Sequence, residues 1–110
     1  MAANPLLLDM VRNVLFHLPD VFEKKMFGGV CFMVDDKLCV CVGKDYLLCR
    51  LDPDNYDTEL EMPGVSQMMS GSRVMKGYIH VDEGVLNTEN DVLIWANKAL
   101  KYNAVLNSKL

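Results

Sequence analysis

No stretch of this 110-residue chain holds the roughly 20 consecutive apolar residues that a membrane-crossing helix needs. The N-terminal segment lacks a positively charged leader and carries Asp9 and Arg12 inside its apolar pattern, so it does not read as a secretory signal. A cytoplasmic location with reduced thiols is therefore expected. Basic residues are scarce: 11 Lys and Arg stand against 15 Asp and Glu, a net charge of −4. That field repels nucleic acid and anionic membranes, so neither direct DNA binding nor membrane association is expected, although a local basic patch is able to hold a phosphate. Internal repeats, low-complexity segments and linkers are absent as well. Residues 1–110 therefore read as a single domain, and with 51% apolar residues the chain has enough to build a core.

Recognised chemical motifs are also missing. The four cysteines, at 31, 39, 41 and 49, include a Cys39-Val40-Cys41 pair, but the C-x₂-C spacing of a zinc site is not present. They read as small buried hydrophobes, and no metal or cofactor is expected. Asp52, Asp54 and Asp57 begin like a calcium loop. Asp57 and Pro63 then occupy the places where such a loop needs glycine and glutamate. Only two histidines occur, and nothing in the order of residues brings His80 to a thiol. His17, at the end of the first helix, is explained by a contact with the helix dipole.

What the chain does contain is a dense apolar middle. Residues 30–34, 37–42 and 46–51 are three strand-length runs, separated by Asp35-Asp36 and Gly43-Lys44-Asp45. They predict a meander of three antiparallel strands. A two-residue turn at Asp35-Asp36 places Phe32 opposite Cys39 and Val30 opposite Cys41, with Cys39 and Cys41 on one sheet face. Cys49 then falls opposite Cys39 if the second turn has three residues, and elsewhere if it has two.

The flanks supply helices. Residues 1–3 are expected to be loose. Asn4 and Pro5 begin a helix over 5–18 that Pro19 ends, and Leu7, Leu8, Val11, Val14, Leu15 and Leu18 form its apolar stripe. Asp52–Glu61 predicts a short helix with acids at its N-terminal end. Residues 65–69 and 77–82 predict two more strands, with Ile79 and Val81 on one face and Tyr78, His80 and Asp82 on the other. Thr88 and Asp91 predict a capping box for a last helix that buries Val92, Leu93, Trp95, Ala96, Ala99, Leu100 and Asn103. The expected order is α-β-β-β-α-β-β-α: an α+β domain with a mostly antiparallel sheet of about five strands and flanking helices.

Between the last two strands lies Ser70-Gly71-Ser72-Arg73-Val74-Met75-Lys76-Gly77-Tyr78. Read as a loop, it offers backbone N–H groups, the charges of Arg73 and Lys76, and the Tyr78 ring, a combination suited to a phosphate or carboxylate. It lacks the P-loop spacing. Lys24 and Lys25 add positive charge before the paired Gly28-Gly29.

Lys25-Met26-Phe27-Gly28-Gly29, Phe32, Leu48 and Arg50, Pro63-Gly64, Arg73–Tyr78, and Trp95, Ala99 and Leu100, in that order, resemble the TfoX/Sxy N-terminal domain family. The resemblance runs from about Glu23 to Asn103. It implies a small α+β fold similar to secretion chaperones. Full-length members look like regulators of DNA-uptake competence that act with a cyclic-AMP-responsive transcription factor and carry a second, helical domain. That second domain is expected to be missing here, because the chain stops at Leu110. The resemblance brings no catalytic residues. The expected role is a non-enzymatic protein-interaction module, a regulator or adaptor whose partner is a protein, with a transcription component among the candidates and a homodimer left open. Arg73, Lys76 and Tyr78, with Lys24 and Lys25, are the candidate interaction or anion-binding residues. The competing expectations are a nucleic-acid-binding regulator, and a small-ligand or enzymatic domain built on the Arg73–Tyr78 loop.

Overall fold

The structure, a computed structural model, describes residues 3–108. The Asn4 side chain accepts the Leu7 amide hydrogen at 3.1 Å, and Pro5 enters the first turn of α1 (Pro5–Leu15), where its missing N–H costs nothing. Leu7, Val11, Val14 and Leu15 are buried, with Leu8 and Leu18 packed beside them. The helix stops three residues before the expected end. The residue preceding a proline avoids the helical conformation, and the Leu18 amide instead closes a turn onto the Leu15 carbonyl at 3.1 Å. Ala3 is not loose: it is buried in the core, and the Asn4 amide donates to Gly43 O at 2.9 Å. The expectation for Met1 and Ala2 falls outside the described residues.

Six strands follow: β1 (Val21–Met26), β2 (Gly29–Val34), β3 (Lys37–Val42), β4 (Tyr46–Arg50), β5 (Val65–Ser70) and β6 (Arg73–Asp82), before α2 (Glu89–Asn107). They form one antiparallel sheet in the order β1-β2-β3-β4-β6-β5. The class is α+β, as the pattern predicts, with one strand more. The extra strand is β1, an edge strand whose central residues are all exposed, so no apolar alternation announces it. Phe27 and Gly28 take φ of 55° and 72°, the conformation of a tight hairpin turn. Arg12 grips Glu23 through two hydrogen bonds of 2.8 Å and ties β1 to α1.

The Asp35-Asp36 turn forms, with both residues at positive φ (51° and 67°), which Asp tolerates better than most residues. Beyond it the pairing departs from expectation. Val34 faces Lys37 and Met33 faces Leu38, but a β-bulge then shifts the register, so Phe32 faces Val40 and Cys31 faces Cys41. Cys39 is the extra residue. An unpaired insertion turns every following side chain to the other face, so Cys39 lies in the helix-covered core while Cys41 lies on the opposite side. Cys49 faces Val40, not Cys39.

Residues 52–61 do not form the expected α-helix. The Asp52 carboxylate accepts from the Asp54 amide at 2.9 Å and from Asn55 Nδ2 at 3.1 Å, a local turn that competes with helix formation. Only Glu59–Glu61 closes a 3₁₀ turn. Leu51 and Tyr56 sink into the core.

Both helices cover one face of the sheet, over Phe32, Val40, Val42, Leu47, Cys49, Ile79 and Val81. Thr88 and Asp91 form the complete capping box of α2. Val92, Trp95, Ala96, Ala99 and Asn103 are its buried residues. Leu93 is 37% exposed, because it lies about 100° around the helix from Val92 and falls off the stripe. Buried Asn103 donates to Val34 O at 3.0 Å. Among the described residues no helix is long and apolar enough to cross a membrane.

Candidate functional site

Arg73 and Lys76 do not sit in a loop. They belong to β6, whose pairing with β4 begins only at Tyr78; residues 73–76 extend beyond it as one arm of the β5–β6 hairpin, with Gly71-Ser72 at the tip. Strand geometry points successive amides in opposite directions, so the nest of converging N–H groups expected there does not form. Both cations are exposed, beside the exposed apolar side chains of Met69 and Val74. Among the described residues neither makes an ion pair. Within the 52–61 segment, Glu59 meets Lys98 at 2.9 Å.

The hairpin holds its shape through an irregularity that the sequence pattern did not announce. Gln67 faces Ile79, yet Met69 already faces Val74, so β6 carries surplus residues between them. Gln67 Nε2 donates to Met75 O at 2.7 Å, Met68 O at 2.9 Å and Tyr78 O at 3.1 Å. Its Oε1 accepts from the Tyr56 hydroxyl at 2.6 Å. One amide thereby satisfies carbonyls that the broken ladder leaves without strand partners. Gly77 completes the distortion with φ of 87°; a Cβ there would stand 2.6 Å from Leu51 O.

Tyr78 lies on the sheet face that carries no helix. It packs with Met26, Met33, Tyr46 and Met68 around buried Cys31, Leu38, Cys41 and Leu48. The Arg50 guanidinium carbon is 5.5 Å from its ring centroid and 6.0 Å from that of Tyr102 on α2. In the sequence, Arg50 is marked only as part of the family resemblance. A charged residue ending the apolar run Tyr46–Cys49 was the signal available.

Lys24 and Lys25 are exposed on β1, at the opposite edge of the sheet from β5 and β6. Four strand spacings separate β1 from β6, roughly 19 Å. The two lysine–arginine groups therefore do not form one basic patch.

A row of paired residues crosses the open face: Ser66, His80, Leu48, Cys41, Cys31 and Lys24. Leu48 separates His80 from Cys41 by two strand spacings, roughly 10 Å. The His80 ring stacks on Tyr46 at 4.1 Å, and burial lowers its pKa from the ordinary value, with Asp45 opposing. All four cysteines are free and buried. Burial raises the pKa of each thiol, that of Cys39 to about 12, which suppresses the nucleophilic thiolate. Among the described residues no three His, Cys, Asp or Glu side chains converge as a metal site would require.

The sequence model of the TfoX N-terminal domain matches residues 13–102, a span that takes in all six strands and most of α2. No curated protein and no solved structure matches the chain.

Proposed function

The chain belongs to the TfoX N-terminal domain family, and on that premise we propose that it is a non-enzymatic protein-interaction module, a regulator or adaptor that docks a protein partner. A transcription component is the class of partner that the family resemblance favours. The single observation carrying this reading is the β5–β6 hairpin arm. It presents Arg73 and Lys76 without ion pairs among the described residues, beside exposed Met69 and Val74. Exposed cations flanked by apolar side chains suit a partner surface that is acidic and partly apolar. The thiols of the four free cysteines fit a reducing compartment, and the cytoplasm is the proposed location.

Two competing readings lose support. Nucleic-acid binding wants clustered charge, whereas Lys24 and Lys25 lie at the far edge from Arg73 and Lys76. A ligand or catalytic site on an Arg73–Tyr78 loop loses its premise, because that segment is strand. The test is affinity capture from the native cell, comparing the wild type with a double variant, Arg73→Glu with Lys76→Glu. The expected result is a specific partner held by the wild type and lost by the double variant, with both proteins melting at nearly the same temperature. Capture that survives the double reversal would overturn the assignment of this arm.

A further inference from the structure

We infer that Arg50, framed by Tyr78 and Tyr102, is a receptor for a carboxylate on an acidic peptide segment of a protein partner; this rests on the interaction-module reading and gives it a second contact point. Arg50 is half-buried at the end of β4. Its guanidinium lies 5.5 Å and 6.0 Å from the two tyrosine ring centroids. Ring contacts occupy the faces of a guanidinium and leave its N–H edge free to fork onto a carboxylate. Among the described residues, no ion pair or hydrogen bond takes up the Arg50 side chain. Two other cations of the fold behave differently: Arg12 is spent on Glu23 and Lys98 on Glu59. Arg50 is thus the positioned cation with donors in hand.

The surroundings select the ligand class. Tyr102 is shared with a cleft of about 380 Å³ between α2 and the 51–59 segment. Leu51, Tyr56 and Val105 give the cleft apolar wall, and Lys101 lines it with a positive charge that no ion pair among the described residues takes up. That volume suits one or two side chains. Asp52, Glu59 and Lys98 also line it, with Lys98 paired to Glu59, so the cleft lacks the concentrated positive charge that a polyanion such as nucleic acid needs. A single carboxylate flanked by an apolar residue meets the Arg50 fork and the apolar wall together.

The test uses the full chain labelled with nitrogen-15, titrated with acetyl-Leu-Glu-Leu-Glu-Leu-amide, with the same peptide carrying glutamine for glutamate, and with inorganic phosphate. The expected result is a saturable shift of the Arg50 Nε–H resonance with the glutamate peptide, and at least tenfold weaker binding of the glutamine peptide and of phosphate. Arg50→Gln should abolish the peptide response. Arg50→Lys, which keeps the charge but loses the fork, should weaken it at least fivefold, so the result does not depend on one variant folding. The Arg73→Glu, Lys76→Glu protein should still bind the peptide. Absence of a saturable shift, equal binding by the glutamine peptide or by phosphate, or an unchanged affinity in both Arg50 variants would overturn the inference. Partner capture in cells without any peptide response would remove this inference and leave the interaction reading standing; a peptide response at Arg50 without partner capture would do the reverse.

Discussion

Cys31 and Cys41 stand directly opposite each other on β2 and β3, and both sulfurs lie near one acceptor, the Met26 carbonyl oxygen, at 3.8 Å and 3.9 Å. Facing strand positions fall within the Cα separation that a disulfide needs. Both nevertheless remain thiols, fully buried and with raised pKa. Thiolates are the reactive form, so iodoacetamide at mildly alkaline pH should leave all four cysteines of the native protein unlabelled over the time in which the denatured chain labels completely. Mass spectrometry reads this directly. Fast labelling of Cys31 or Cys41 would show that the open face uncovers them. Protein purified without chelator should contain no stoichiometric zinc.

The same thiols set an alkaline limit. Cys39 is raised from 9.0 to about 12, so the folded state holds a proton that the unfolded chain releases. Its contribution to stability is complete below pH 9 and is lost as the pH rises toward 12. Denaturant midpoints measured from pH 8 to pH 11 should fall. The Cys39→Ala protein, less stable throughout, should fall less steeply.

Gly77→Ala should destabilise the fold severely. Its φ of 87° is strained for any residue with a Cβ, and that Cβ would meet Leu51 O at 2.6 Å, while the Leu51 amide itself bonds Gly77 O. A loss of about 2–4 kcal/mol in urea unfolding is expected from strain and clash combined. Gly71→Ala, at the open hairpin tip with nothing nearby, should cost about 1 kcal/mol, from φ alone.

Gln67→Leu should cost about 2 kcal/mol, because removing one amide leaves the Met75 and Tyr78 carbonyls and the Tyr56 hydroxyl without that partner. Hydrogen exchange should rise in β5 and in the first half of β6, with the β2–β3 hairpin unchanged. A uniform rise across the sheet would mean that the amide supports the whole fold instead of this irregularity.

His80 should titrate below its usual range. Burial lowers its pKa and Asp45 raises it, so its neutral form is favoured in the fold. The associated stability is present above the unfolded pKa and is lost as pH falls through the folded one. A proton NMR titration of the ring should place the midpoint below 6.5, and Asp45→Asn should move it lower still. A midpoint above 6.5 would mean that Asp45 outweighs burial.

Duplex DNA should bind no more tightly than about 10 μM near physiological salt. The net charge is −4, and Lys24 and Lys25 on β1 lie across the sheet from Arg73 and Lys76 on β6. An anisotropy titration showing tight, sequence-selective binding would count against both the charge argument and the proposed role.

Residue order alone determined a great deal here. Asn4, Pro5, Thr88 and Asp91 marked both helix starts, because a cap is a local hydrogen bond between residues three apart. Val30–Val34, Lys37–Val42 and Tyr46–Leu51 announced themselves as strands by apolar runs and turn residues, and the alternation of Ile79 and Val81 against Tyr78 and His80 held. Tertiary structure decided the rest. β1 is visible only through its partner, since a strand paired along one edge and exposed across its middle carries no apolar period. A bulge at Cys39 sent Cys39 and Cys41 to opposite faces, and one inserted residue leaves no mark on composition. Glu59 found Lys98 on α2, 39 positions further along the chain. Arg50 acquired its two tyrosines from β6 and α2, residues 28 and 52 positions further along the chain. Only packing sets such a contact, because nothing in a local window records which distant rings will close around a charge.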